Sequence, residues 1–223
     1  MKTKSTILRF LNNIEIDSDH RYTSWENCYE AFQKNNNRET LSIHLAFYLA
    51  SWGMYRGSSG LLQKNHKVHN GAVDIILDYK HLQCSSSFEI SRNNIKDLNG
   101  LIKELEKYYG SILFTRNYKN YKINPTITLI TKVIMGTLGC LPAFDRYFLH
   151  GVKQEDYCFI NLSEFCLEHL FHFVENIEYN EICECQNLLN EKREMFYPKM
   201  KIVDMYFWQR GYDDISDKYQ KNN

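Results

Sequence analysis

Apolar residues recur at three- and four-residue steps along most of this chain, and that period constrains the fold more than any other feature. In residues 38–56, Leu41, Leu45, Tyr48, Leu49 and Trp52 fall on one side of a helix, with Thr40 or Ser42 available to cap it. The same pattern predicts helices over 25–35, 61–68, 72–79, 95–109, 163–177, 180–194 and 198–210. Gly57, Gly110 and Gly211 stand where helix stops are expected. Strand-like runs are confined to 111–114 and 157–161. Proline, which would break long helices, occurs only 3 times, while 16 Tyr and 13 Phe supply an aromatic core or groove. The expected class is all-α: a compact multi-helix fold in a single domain over 1–223, built as one body or as two lobes.

Lys plus Arg and Asp plus Glu both number 27, so the formal net charge is zero. That balance argues against bulk electrostatic capture of nucleic acid and leaves room for a local basic patch. One is present at Arg116, Lys119 and Lys122, interleaved with Tyr118 and Tyr121. Its cations could hold phosphates and its rings could stack on bases; the plain alternative is a solvated loop with snorkelling tyrosines. Seven cysteines, an odd count, and a start without an apolar leader point to a reducing cytoplasm. No run approaches the ~20 apolar residues of a membrane span.

The stretch from Asn124 to Gly151 delivers one carboxylate, Asp145, from a tight junction between two helices. Asn124 and Pro125 are expected to start the first helix and Gly139 to stop it. Pro142 is then expected at the first position of the next helix, placing Asp145 in its first turn, where the helix dipole favours a negative charge. Asp145 could simply decorate that helix start. Its neighbours suggest more: Gly136, Gly139 and Ala143 allow close backbone approach, and Phe144, Tyr147 and Phe148 put rings beside the acid.

A helix, a Gly-containing turn and then Pro-x-x-Asp resembles the corresponding segment of helix-hairpin-helix DNA glycosylases. Thr131, Lys132 and Val133 resemble the start of that family's second hairpin helix, Pro142 its linker proline and Asp145 its catalytic acid. The resemblance implies that Asp145 polarises water or stabilises an oxocarbenium sugar while the base–sugar bond breaks. Where the family carries Gly-x-Gly, this chain has Leu129-Ile130, and no lysine stands in an obvious Schiff-base position, so a monofunctional hydrolase is the form implied. The segments around Trp52, Asp145 and Asp204 together resemble small bacterial proteins that include glycosylase-like antiphage proteins.

Other constellations also carry chemistry. Residues 51–59 join Trp52, Tyr55 and Arg56 to glycines and serines, an aromatic surface with polar edges of the kind that receives a flipped base; core packing is the alternative. Asp204 sits among apolar residues of the last helix and on one stripe with Lys201 and Trp208, so it is paired, with Arg56 or Arg146, or functional. His169 and His172, followed by Cys183 and Cys185, have a partial zinc-like spacing, but no metal or organic cofactor is expected. Arg146 and His150 resemble, one residue short, the Arg-x4-6-His motif of helical HEPN ribonucleases. The expected activity is removal of a base from DNA, with Asp145 catalytic and Trp52, Tyr55, Arg56, Tyr147, Asp204 and Trp208 around the substrate. Arg116, Lys119, Lys122 and Lys132 are expected on phosphates. A HEPN-like ribonuclease, or a binding protein with an aromatic groove, remains as the alternative.

Overall fold

The computed structural model describes residues 2–34, 36–56 and 59–221. It is an all-α protein with one small hairpin. Helices α1 (Lys2–Ile16), α2 (Thr23–Gln33) and α3 (Arg38–Ser51) are followed by short 3-10 turns at Leu61–Gln63 and His66–His69. Next come α4 (Asn70–Asp78), 3-10 turns at Lys80–Leu82 and Arg92–Asn94, and α5 (Ile95–Ser111). The hairpin of β1 (Leu113–Arg116) and β2 (Lys119–Lys122) leads into α6 (Ile127–Thr137) and α7 (Arg146–Gln154). Helix α8 (Glu164–His172) runs into a π-helical turn, Phe173–Ile177, before α9 (Tyr179–Arg193) and α10 (Lys199–Lys221). Among the described residues no helix is long and apolar enough to cross a membrane.

One contiguous cluster of buried apolar side chains extends from Ile7 on α1 to Trp208 on α10. Helix α10 is its axis, packed on α7, α1 and α9, while α2, α3 and α6 close the other side. A bidentate pair of Arg193 with Glu26, at 2.8 and 2.7 Å, ties α9 to α2. The seven cysteines are free thiols, and Cys28, Cys84, Cys140, Cys166 and Cys185 are buried as small apolar groups.

Several element ends differ from the sequence expectation, each for a local reason. Helix α1 carries an apolar face (Ile7, Phe10, Leu11, Ile14) that the periodicity reading passed over. The cap of α3 is Asn37, whose side chain accepts from the Thr40 N–H, rather than Thr40 or Ser42. That helix ends at Ser51 rather than at 56, because Gly53, at φ +72°, turns the chain. Gly53 N donates to Ala50 O at 3.0 Å and Met54 N to Leu49 O at 2.9 Å, the paired bonds of a Schellman cap. Gly57, the expected stop, lies outside the described residues, as does Ser58.

The basic stretch is the hairpin itself. Arg116 pairs with Lys119 across a two-residue turn in which Asn117 (φ 49°) and Tyr118 (φ 61°) are both left-handed. That backbone belongs to the hairpin-favouring turn class usually built from Asn and Gly, and Tyr at its second position hid the signal. Residues 157–161 form no strand, and α5 continues through Gly110. Thr126, not Asn124, caps α6, its hydroxyl accepting from Leu129 N at 3.3 Å. Gly139 does follow the end of α6 with φ +66°. Pro142 is buried in an extended linker instead of opening a helix, and Asp145 is the N-cap of α7.

Gly211 does not stop the last helix. At Gly211 a Cβ would lie 1.9 Å from Tyr147 O, and at Gly151 one would lie 2.1 Å from Phe207 O. The two glycines face each other where α7 crosses α10, so Gly211 serves backbone-to-backbone contact rather than termination. This crossing fixes the N-terminus of α7, and with it Asp145, against the core.

Candidate functional site

Asp145 lies in a cleft of about 300 Å3 bounded by three segments. The Schellman turn after α3 supplies Trp52, Met54 and Arg56, α6 supplies Thr128 and Lys132, and the start of α7 supplies Arg146 and Tyr147. The volume is at the small end of the ~300–1,000 Å3 range of ligand pockets.

The carboxylate is held from two sides. Its Oδ1 accepts from Tyr147 N at 3.0 Å and Phe148 N at 3.1 Å, which satisfies two of the orphan amides at the start of α7. Its Oδ2 accepts from Lys132 Nζ at 3.1 Å. The Lys132 side chain is only 3% exposed and that of Asp145 13%, so this is a buried ion pair opening on the cleft. An ionised carboxylate offers about four acceptor positions. Three are taken here, and one is left for a ligand or water.

The linker carrying Asp145 is fastened at three successive points. Ala143 N donates to Asp204 Oδ1 at 2.9 Å, Phe144 N to Thr131 Oγ1 at 2.9 Å, and Thr128 Oγ1 to Phe144 O at 3.0 Å. Asp204 is therefore paired, but with Lys201, at 2.8 Å, rather than with Arg56 or Arg146. It stands behind the cleft as a support. Tyr48 is wholly buried under Gly136, and burial, reinforced by the charges of Asp204 and Asp145, holds its phenol well above the usual range.

Trp52 ends a stack of three rings. Phe10 stacks on Tyr22 at 4.3 Å and Tyr22 on Trp52 at 5.3 Å, with interplanar angles of 17° and 14°. Trp208 is buried behind the wall, edge-on to Trp52 at 5.7 Å and to Tyr147 at 5.2 Å. Tyr55, expected to share the sandwich, is instead tied back into the core. Its hydroxyl bonds His69 Nε2 at 2.8 Å, and His69 Nδ1 bonds the Tyr109 hydroxyl at 2.8 Å. Burial pushes the His69 imidazole down to about 3 and the Tyr55 phenol up to about 12, so both are neutral at pH 7.

Of the residues expected on phosphates, Arg116, Lys119 and Lys122 project from the hairpin with Tyr118 fully exposed at its tip. Lys132 is not part of that face: it is the buried partner of Asp145. Phe114 of the hairpin packs against Gly60, and β2 precedes α6, whose Thr128 and Lys132 line the cleft.

Arg146 and His150 are not brought to one reacting point. Arg146 donates to the Tyr147 hydroxyl at 2.7 Å, and His150 bonds Asp214 on α10 at 2.7 Å. Among the described residues no group of three or more His, Cys, Asp or Glu is placed to hold a metal ion. His172 bonds Asn176, and His169 packs on Phe165.

Sequence reasoning missed Arg21, whose guanidinium lies 4.9 Å from the Trp52 ring centroid, and the Lys132–Asp145 and Lys201–Asp204 pairs. The Thr128, Thr131, Lys132 spacing on α6 was the available signal, because steps of three and four align those side chains along one face. No family model matches the chain, and no significant match was found among curated proteins or among solved structures.

Proposed function

We propose that the protein is a DNA glycosylase-like hydrolase that takes an everted nucleoside into the cleft beneath Trp52. The observation that carries this reading is a buried, backbone-anchored carboxylate with one acceptor position left, at the base of a cleft walled by the end of an aromatic stack. An everted base would lie against the wall that Trp52 forms, its indole stacked on Tyr22 and flanked by the Arg21 and Lys132 cations, and contact with that wall would offset part of the unstacking cost of a few kcal/mol. Arg56 and Arg146, both exposed at the rim, are suited to the flanking phosphates.

In the reaction the bond from the sugar C1′ to the base nitrogen breaks, and its electron pair leaves with the base. Asp145 stabilises the positive charge that develops on the sugar and orients the water that attacks C1′. The proton lost by that water leaves through Asp145 and replaces the one taken up by the departing base. Because Tyr147 N, Phe148 N and Lys132 fix the carboxylate before substrate arrives, little reorganisation is needed.

The position of Lys132 favours one variant of this chemistry. Its amine lines the cleft beside Asp145, which could take the ammonium proton. The freed amine would then displace the base at C1′, the base leaving with the bond's electron pair, and the resulting glycosylamine would open its sugar ring, O4′ leaving as a hydroxyl with a proton, to give an imine. Duplexes carrying single modified bases test both forms: the hydrolase leaves abasic sites that break on mild alkali and a free base in solution. Borohydride present during turnover would trap a protein–DNA adduct only in the amine form. Intact glycosidic bonds on every duplex, at protein in excess of DNA, would refute the proposal.

A further inference from the structure

The aromatic walls of the cleft already carry positive charge. The Arg21 guanidinium and Lys132 Nζ each lie 4.9 Å from the Trp52 ring centroid, and Lys201 Nζ lies 5.9 Å away. Tyr147 has the Arg146 guanidinium 4.6 Å from its centroid, bonded to its own hydroxyl. Arg56 adds another cation at the rim. Two carboxylates stand against these five cations, Asp145 paired with Lys132 and Asp204 paired with Lys201. Arg56 and Arg146 on the lining of the cleft, and Arg21 outside that lining against Trp52, have no carboxylate partner among the described residues.

An aromatic face attracts a cation through its quadrupole, but a second cation brought to the same ring meets the first at short range in a medium less polar than water. A pocket for cationic groups leaves its rings bare; here both rings that line the cleft are occupied. We infer that the cleft accepts a neutral or anionic base and rejects a cationic, N-alkylated one, with Arg21, Arg56 and Arg146 setting that specificity. Ring alkylation makes a purine a better leaving group, so a site relying on one carboxylate would otherwise favour such bases. Selective release of a base rests on the glycosylase reading, whereas selective occupancy of the cleft rests on its charges alone.

A matched pair of probes tests it: GMP and 7-methyl-GMP share a phosphate and differ in ring charge in mildly acidic buffer. The Trp52 indole N–H, which has no hydrogen-bond partner, is the reporter by NMR, assigned through Trp52→Phe. GMP should saturate its shift at concentrations on the order of tenfold lower than the methylated nucleotide, and Arg21→Gln should narrow that gap. Equal or tighter binding of 7-methyl-GMP, or no saturable shift with either, overturns the inference. A second arm offers duplexes bearing uracil, hypoxanthine, 8-oxoguanine or 7-methylguanine. Preferred release of 7-methylguanine overturns the inference and leaves the glycosylase reading standing. No release from any duplex, with the GMP preference intact, supports the inference and removes that reading.

Discussion

Asp145 does two jobs with one carboxylate, capping α7 and balancing a buried lysine, and the two can be separated by substitution. Asp145→Asn keeps an acceptor for Tyr147 N and Phe148 N but removes the charge facing Lys132, so it should cost about 1–3 kcal/mol in urea denaturation. Asp145→Ala should cost more, about 3–5 kcal/mol, because it also strips the cap from Tyr147 N and Phe148 N while stranding the same buried ammonium. Lys132→Met combined with Asp145→Asn should recover most of the loss. All of these variants should lose base release, and full release by Asp145→Asn would reduce Asp145 to a cap. A second residue-scale expectation concerns His69, which titrates near 6.5 when unfolded and at about 3 when folded. Between those values the unfolded chain binds the extra proton, so stability should fall as pH drops through this window, by up to about 1.4 kcal/mol per pH unit. Denaturation midpoints across the window measure it, and flat midpoints would show that His69 is not buried as neutral imidazole. At this scale Asp145, Trp52, Arg56 and Tyr147, which line one candidate cleft, were legible because each lies at a helix end or in the turn just beyond one. Arg21 and Lys201 were not, since their places are set by Trp52, which is distant from both in sequence.

At the scale of elements, most helices were legible from their apolar period, but the meaning of each glycine was not. Gly53 and Gly139 end helices with positive φ, Gly110 lies within one, and Gly151 and Gly211 let two helices touch. Sequence carries no mark that separates these uses, because the difference lies in what faces the missing side chain. Substitution by alanine should separate them. Gly211→Ala places a methyl 1.9 Å from Tyr147 O, so α7 and α10 must part, at a cost above about 3 kcal/mol. Gly110→Ala meets nothing closer than Pro125 at 3.6 Å and should be neutral or stabilising by about 0.5–1 kcal/mol. Melting curves of the two variants read this directly, and a benign Gly211→Ala would mean that the crossing is looser than the contact implies.

Across the whole molecule, zero net charge conceals an uneven distribution. The hairpin and the cleft rim carry Arg116, Lys119, Lys122, Arg56 and Arg146, whereas Asp213 and Asp214 on α10 are paired with Arg9 and with Lys218 and His150. Phe114 of the hairpin packs against Gly60, and salt dependence tests whether a duplex laid over the cleft meets the hairpin as well. With no long-range pull from net charge, affinity must come from contacts on this one side. If the five basic groups each neutralise a phosphate, log K should fall with log salt at a slope of about −4 to −5, following ~0.9 per contact. Lys119→Ala and Lys122→Ala should each shallow the slope by about 1 without changing stability, since both side chains are exposed on β2. Substituting Asp217, which belongs to neither the hairpin nor the cleft lining, should leave the slope unchanged. A slope near zero for the native chain, or one indifferent to both hairpin substitutions, would separate the hairpin from the cleft and leave the cleft to bind small nucleotides rather than a strand.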